Sequence, residues 1–421
     1  MNIWIYQTGE PLHVDRNQLR PMRAINLANF LVDKGHDVTI WSSAFFHQKK
    51  EHRCKKFSEL VINDKLTIKL IPSRGYKKNI GVGRLYDHFQ LAVNLYAQLK
   101  SFNGKYPDVA FIGYPPIEAN FILGKWLSKN KIPFLLDVKD QWPHIFIRKL
   151  PVSLKPIGKI IFQPYFSCGR ALFTEAAAIV SISQSFLKWS QDFAKREAKP
   201  EDIVAPLTLP KNQLDDLSRN QSINRWANQG VVLDGSVPVF CFVGSLSNSF
   251  DFQPIIDVAM RFKSQNIRAQ FVIAGDGELY SQIKNSSEEL DNVIMPGWIS
   301  EPDISTLLSS ATASLAPYRN TSDFEASIPN KVIDAMAYGL PLLSSLKGEV
   351  KSLIDDYEIG FFYDTKETLL QHCLMLSSDK AKTKTIRKSV ANCYDKEFNF
   401  HAVYLRLVSL IENIGKPNNE R

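Results

Sequence analysis

Cysteine is scarce and scattered: Cys54, Cys168, Cys241, Cys373 and Cys393 are the five in 421 residues, and none belongs to a CxxC pair. Such spacing argues against a zinc knuckle, a dithiol redox pair and a disulfide framework, and it fits a reducing compartment. Long apolar runs are missing as well. None reaches the roughly 18 residues of a membrane span, and the start MNIWIYQTG has no basic stretch leading into an apolar one. Export and transmembrane anchoring are therefore not expected. No repeat of roughly 20 to 50 residues stands out beyond an alternation of strand-like and helix-like segments.

What is present is length, and a lopsided charge. The chain is too long for one ordinary core and suggests two domains of roughly 200 residues. Residues 1–210 hold 30 Lys and Arg against 17 Asp and Glu, a balance of +13, and residues 211–421 hold 21 against 26, or −5, which together give the net +8. In the basic half, cations alternate with apolar and aromatic residues, as in IFIRKLPVSLKPIGKIIFQPYF. Such a surface suits an anionic membrane, at about 1 kcal/mol per basic side chain near the lipid. The alternative is a plain solvated face. No nucleic-acid reader motif accompanies the charge, so a nucleic-acid partner is not expected.

The segments order themselves into two α/β series. NIWIY reads as a buried strand, RAINLANFLVDKG as a helix and GHDVTIWSS as a second strand, the start of a doubly wound parallel sheet. PDVAFIGY, IEANFILGKWLSKNK, IPFLLDVKD and AIVSISQSFLKWSQDF continue it. Polar, proline-punctuated sequence follows, and then PVFCFVGSLS, QPIIDVAMRFKSQ, AQFVIAGDGEL, NVIMPGWIS, PDISTLLSSA and ASLAPY repeat the alternation. The expected boundaries are a first domain over 1–205, a connection over 206–236, a second domain over 237–390 and a helical tail over 391–421. Loops after parallel strands open on one sheet edge, where such sheets bind ligands.

The segment SIPNKVIDAMAYGLP, Ser327 to Pro341, carries the densest chemistry. Pro329 stops what precedes it and Asn330 can cap a helix of roughly three turns, ended by Gly339 and Pro341. The free N–H groups of its first turn, with Lys331, favour an anion such as a diphosphate. Asp334 follows three residues later on nearly the same face, suited to sugar hydroxyls. Alternatively, Lys331 is a solvated lysine and Asp334 merely balances the helix dipole. Three loops accompany this helix: FVGSLSN with Gly244, IAGDGEL with Gly275 and Gly277, and MPGWIS with Gly297, Trp298 and Ile299. Glycine lets backbone approach a phosphate closely, although GDG is also a common tight turn. Trp298 fits a core position as well as a ligand platform.

These four stations, in this order, resemble the donor domain of family-4 retaining glycosyltransferases, and the resemblance covers nearly the whole chain. In the first half, Arg23 ahead of Gly35-His36-Asp37-Val38, the SSxFxH run ending at His47, and DVKDQWP with Asp140 are similar to members that build bacterial surface polysaccharides. The resemblance implies a GT-B fold, two doubly wound Rossmann-like domains facing across a cleft, with a C-terminal helix crossing back to the first. It places the diphosphate of a nucleotide-sugar near Gly244, Ser245 and Lys331, the ribose near Asp334, and the base near Trp298 and Ile299, with Gly275, Arg319 and Asn330 also expected to bind the donor. Gly9, Arg23 and His47 fall on the acceptor side, and Lys331, Asp334 and Asp140 are the candidate catalytic residues. Departures are visible. Ser245 and Asn248 stand where the family has an arginine and then a lysine, alanine occupies position 326 where an acid is usual, with Glu325 beside it, and Asp334 replaces a glutamate.

The expected activity is a metal-independent, hexosyltransferase-type reaction with retention, without a cofactor, from a nucleotide-diphosphate sugar to a lipid-linked saccharide in O-antigen or capsule synthesis. The absence of any DxD triplet disfavours a metal-bridged diphosphate and a metal site. The expected location is cytoplasmic, peripheral on the inner face of the membrane. Rival readings are a catalytically silent GT-B subunit and a sugar-nucleotide epimerase, which would convert donor without acceptor.

Overall fold

The computed structural model describes residues 1–15, 20–78, 81–211 and 214–416. Two compact units divide the chain, Met1–Ala205 with Ala402–Arg421, and Pro206–His401. Positions 212 and 213 of the expected connection, and 417–421 of the expected tail, lie outside the described residues.

The first unit contains strands β1 (Asn2–Tyr6), β2 (Asp37–Ser43), β3 (Phe45–Phe46), β4 (Glu51–His52), β5 (Ser58–Asn63), β6 (Leu66–Ile71), β7 (Val109–Tyr114), β8 (Phe134–Val138), β9 (Ala178–Ser181) and β10 (Ile203–Val204). Eight of them form one sheet in the order β10-β9-β8-β7-β1-β2-β6-β5. All its pairings are parallel except β5 with β6. Strands β1, β7, β8 and β9 are buried at every residue, as a sheet covered by helices on both faces requires. Edge strand β5 instead alternates between half-buried and exposed residues. Trp4, Trp41, Phe102 and Trp126 pack on one another, with Trp4 and Trp126 stacked at 5.4 Å. Strand order reverses at β1, which lies between β2 and β7, so the loops after β1 and β7 diverge and leave a crevice.

The second unit carries β11 (Val239–Val243), β12 (Gln270–Ala274), β13 (Val293–Gly297), β14 (Ala313–Ala316), β15 (Leu342–Ser344) and β16 (Gly360–Phe362) in an all-parallel sheet ordered β13-β12-β11-β14-β15-β16. Here the reversal falls between β11 and β14. The crevice therefore opens beside Gly244 and Arg319.

Several boundaries differ from expectation. Residues 206–236 are not a bare connection: Asp215 caps a helix, Asp216–Asn228, by accepting the N–H of Ser218 at 2.8 Å. That helix is pinned to the second unit by Trp226, whose indole N–H donates to the Asp303 carbonyl at 3.1 Å, and by an Arg225–Asp303 ion pair at 2.7 Å. The expected tail splits into helices Lys380–Cys393 and Phe400–Gly415 around a five-residue π-turn, Tyr394–Phe398. The chain re-enters the first unit at Ala402. Tyr404 stacks on Phe30 at 5.2 Å and Glu412 bonds His36 at 2.8 Å, which assigns His36 a structural role. The β3–β4 hairpin, helix Val82–Lys100 and the β16 region were not anticipated. No described helix is long and apolar enough to cross a membrane.

Candidate active site

In the second unit the glycine loops are fastened to one another through their backbones. Gly244 N–H donates to Ala274 O at 2.9 Å, Leu246 N–H to Asp276 O at 2.9 Å, and Gly275 N–H to Gly297 O at 2.7 Å. Gly275 has φ +140°, and a β-carbon there would stand 1.8 Å from the carbonyl oxygen of Gly244. Only glycine permits that approach. A β-carbon on Gly244 would lie 1.9 Å from Lys331 Nζ, so the ammonium sits directly over the Gly244 backbone.

Lys331 comes from a shorter helix than expected, Asn330–Ala337. Pro329, rather than Asn330, occupies the cap position, and Asn330 is the exposed first residue. The helix ends as anticipated: Gly339 has φ +63° and Leu340 N–H bonds back to Ala335 O at 3.0 Å. Val332, Ile333 and Met336 anchor it in the core. Lys331 Nζ stands 5.5 Å from the ring centres of both Phe242 and Phe250, and it makes no ion pair among the described residues. Burial holds its pKa below the ordinary lysine value, and the Asp334 carboxylate opposes that shift. The result is a desolvated cation at a helix start, a ready partner for an anion.

Asp334, half-buried, also acts on Tyr318, whose hydroxyl is pushed well up by burial first and by this carboxylate second. Tyr318 packs on Phe250 at 4.7 Å. Arg319 joins the same loop system: its N–H donates to Ser249 O at 2.8 Å and its Nε to Phe250 O at 3.1 Å, and its guanidinium reaches Asp251 at 3.8 Å. Part of its charge is thus turned toward Asp251. Ser245 is exposed beside Gly244. Trp298 is 80% exposed at the end of β13, as a ligand platform would be, whereas the Ile299 side chain is 7% exposed and belongs to the core. Ile299 can therefore offer a ligand only its main chain. The structure thus brings Gly244, Gly275, Arg319 and Lys331 together. Sequence reasoning missed Phe242, Phe250 and Tyr318, whose closeness to the Lys331 helix only the fold reveals.

In the first unit, Gly9 and His47 line one cavity of about 230 Å³ with Glu10, Tyr76, Arg84, His88 and Lys139. Burial first, then Lys50 and Arg84, lower the His47 pKa to about 4, and burial and Arg84 lower that of His88 to about 3. His47 Nδ1 faces Lys50 Nζ at 3.1 Å and the Tyr76 hydroxyl. An ammonium can only donate, so Nδ1 accepts and the proton resides on Nε2. His47 is then a neutral donor at physiological pH.

Arg23 does not line this cavity. It is buried and pairs with Asp137 at 2.9 Å while donating to Ala205 O at 2.6 Å. Lys139 bridges Asp137 at 3.1 Å and Glu10 at 2.5 Å, and Glu10 also accepts the N–H of Ala24 at 2.9 Å. Arg23 therefore stands behind the cavity wall, linked to it through Asp137 and Lys139. Asp140 is half-buried after β8, outside the cavity lining, where it contributes to raising Tyr114. Glu10 and Lys139 were overlooked although both stood in segments already singled out. Among the described residues no His, Cys, Asp and Glu cluster could hold a metal ion.

Residues 237–379 match the family model described as "Glycosyl transferases group 1". The chain is 21% identical over 199 residues to the putative colanic acid biosynthesis glycosyltransferase WcaL of Salmonella typhimurium, covering 46% of this chain and 49% of that protein. It is 26% identical over 166 residues to the amylovoran biosynthesis glycosyltransferase AmsK of Erwinia amylovora, covering 38% and 41%. The chain thus spans about half or less of the curated relatives it matches. A crystal structure of Anabaena Alr3699/HepE in complex with UDP superposes with a TM-score of 0.65 over 98% of this chain and 99% of that one, at 13% identity, a likeness of fold alone. Residues 237–379 accordingly match a glycosyl transferases group 1 domain, and the chain has the two-domain α/β fold seen in GT-B glycosyltransferase structures.

Proposed function

We propose that the protein is a retaining glycosyltransferase of surface-polysaccharide biosynthesis, moving a sugar from a nucleotide-diphosphate sugar to a lipid-linked saccharide without a metal ion. The observation that carries this reading is the Lys331 ammonium seated over the Gly244 backbone at the strand-order reversal. The diphosphate lies against that ammonium and the helix start, and Trp298 and the Gly297–Ile299 main chain receive the base. Asp334 takes sugar hydroxyls of the donor. As the anomeric C–O bond breaks, the electron pair stays on the departing phosphate oxygen, where fixed positive groups are worth most. The acceptor hydroxyl bonds to the anomeric carbon on the same face and its proton passes to the leaving phosphate. Gly9 and His47 belong to the acceptor, with His47 Nε2–H donating to an acceptor oxygen. Asp140 is given no step.

A thermal-shift panel of nucleoside diphosphates tests the donor site. A ligand at 100 times its dissociation constant should add about 2.7 kcal/mol, and a panel without any shift would remove the nucleotide from the reading.

Membrane contact on the cytoplasmic face fits the surface of the first unit. Val152 (80%), Ile160 (77%) and Ile161 (64%) stand exposed among Lys149, Lys155 and Lys159. Burying such side chains in the interface while lysines meet lipid phosphates is how an amphipathic surface binds reversibly. The protein should sediment with anionic liposomes at low salt and Ile160→Glu/Ile161→Glu should abolish this. Unaltered sedimentation of that variant would place the contact elsewhere.

A further inference from the structure

Beside the His47 cavity lies a second, larger one whose electrostatics differ. It holds about 620 Å³ and its lining includes Lys50, His52, Arg74, Lys77, Tyr76 and Tyr86, with no carboxylate among the described residues that line it. The nearest acids in sequence do not line it, and Asp87 meets it only at the Gly75 backbone N–H. Glu51 lines a different depression, and Asp87 accepts the N–H of Gly75 at 2.6 Å while lining the His47 cavity.

The cations are held by fixed backbone. Lys50 occupies the β3–β4 turn with φ 59°, its N–H bonded to Phe46 O at 2.8 Å. Arg74 and Lys77 ride on the loop after β6, which is clamped to this hairpin. His52 Nε2 donates to Arg74 O at 3.0 Å, and a β-carbon on Gly75 would come within 2.6 Å of the Phe45 ring. Lys50 Nζ lies 4.4 Å from the Tyr76 ring centre and the Arg74 guanidinium 5.7 Å from that of Tyr86. Phe45 and Tyr76 line both cavities, and the Tyr76 hydroxyl bonds His47. One ligand could therefore present an anion to the basic cavity and a neutral group to the His47 cavity.

We propose that the Lys50–Arg74–Lys77 cavity is a phosphate subsite that holds the phosphate or diphosphate of the acceptor, while the sugar attached to it occupies the adjoining cavity at His47. The proposal rests on the glycosyltransferase reading. A guanidinium grips two phosphate oxygens in a planar fork and the lysines add point charges, a set matched to more than one negative charge. A bilayer headgroup would present the same phosphoryl chemistry, so the test separates the two sources.

The full chain, saturated with UDP to fill the nucleotide site, is titrated calorimetrically with inorganic pyrophosphate and with farnesyl diphosphate, and sedimented with phosphatidylglycerol vesicles. Both soluble diphosphates should bind, and Arg74→Gln/Lys77→Gln should weaken both about tenfold or more, the scale of one or two lost charge-assisted hydrogen bonds. Those two side chains are exposed, and an unchanged urea midpoint by tryptophan fluorescence, which reports mainly on the first unit, shows that the variant is folded. Equal pyrophosphate affinity in the variant, or no diphosphate binding to the wild type, overturns the subsite. Vesicle binding that depends on Arg74 and Lys77 while neither soluble diphosphate binds overturns the acceptor assignment in favour of a headgroup. Failure of every nucleoside diphosphate of the panel to bind counts against the glycosyltransferase reading instead, and titration without nucleotide then still decides whether this cavity takes phosphate.

Discussion

Lys331→Ala is expected to lower turnover by about two orders of magnitude, the loss that follows removal of one preorganised partner of transition-state charge. The lysine is well placed for such an effect because its ammonium lies over Gly244 and between two phenyl rings, away from bulk water. Family resemblance would share this task with basic residues after the first glycine, but Ser245 and Asn248 stand there, and Arg319 leans toward Asp251. The helix start and Lys331 are left with most of the positive field. Truncation also leaves Asp334 without the cation that offsets it, so nucleotide affinity should fall along with turnover. Steady-state transfer and nucleotide affinity, measured on the same variant, separate the two effects. Unchanged turnover would take Lys331 out of the reaction, and conversion of donor at equal rate with and without acceptor would favour the epimerase alternative.

Breaking the Arg23–Asp137 pair should be the most damaging single change to the first unit. Both side chains are at most 2% exposed. Arg23→Met leaves Asp137 and Lys139 to rearrange around a buried charge, at a cost of about 3 to 5 kcal/mol. Five of the seven tryptophans, Trp4, Trp41, Trp126, Trp142 and Trp189, belong to this unit, so tryptophan fluorescence during urea unfolding reports mainly on it. Asp137→Asn alone should be similarly harmful. The double change Arg23→Met/Asp137→Leu should recover part of the loss, because it removes both charges together. A wild-type midpoint for Arg23→Met would show that the pair contributes nothing.

Arg23 also shows where sequence reading went astray. An arginine near the start of a helix, in a run that resembles a family motif, reads the same whether it touches ligand or supports the wall behind it. Only the three-dimensional placement of Asp137 and Ala205 against it separates the two. The strands, the three glycine loops and the helix after Pro329 in the second unit were legible because buried parallel strands are continuous apolar runs and because glycine marks close backbone approach. Phe242 and Phe250 were not, since a phenylalanine in a strand or loop carries no mark of standing beside a lysine some ninety positions on. The short β3–β4 hairpin escaped for a similar reason: two-residue strands are too brief to show periodicity, yet this one places His47 and Lys50.

The return of the chain to the first unit sets an order of events during synthesis. Residues Met1–Ala205 leave the ribosome before Pro206–His401, but the helix Phe400–Gly415 that completes their unit follows both. Pro206–His401 is one uninterrupted stretch and can fold as soon as it emerges. Until then the older part of the molecule waits unfinished, with the apolar surface that Tyr404, Leu407 and Ile411 will cover still open to solvent or to a chaperone. The first unit to be translated is thus the second to be completed.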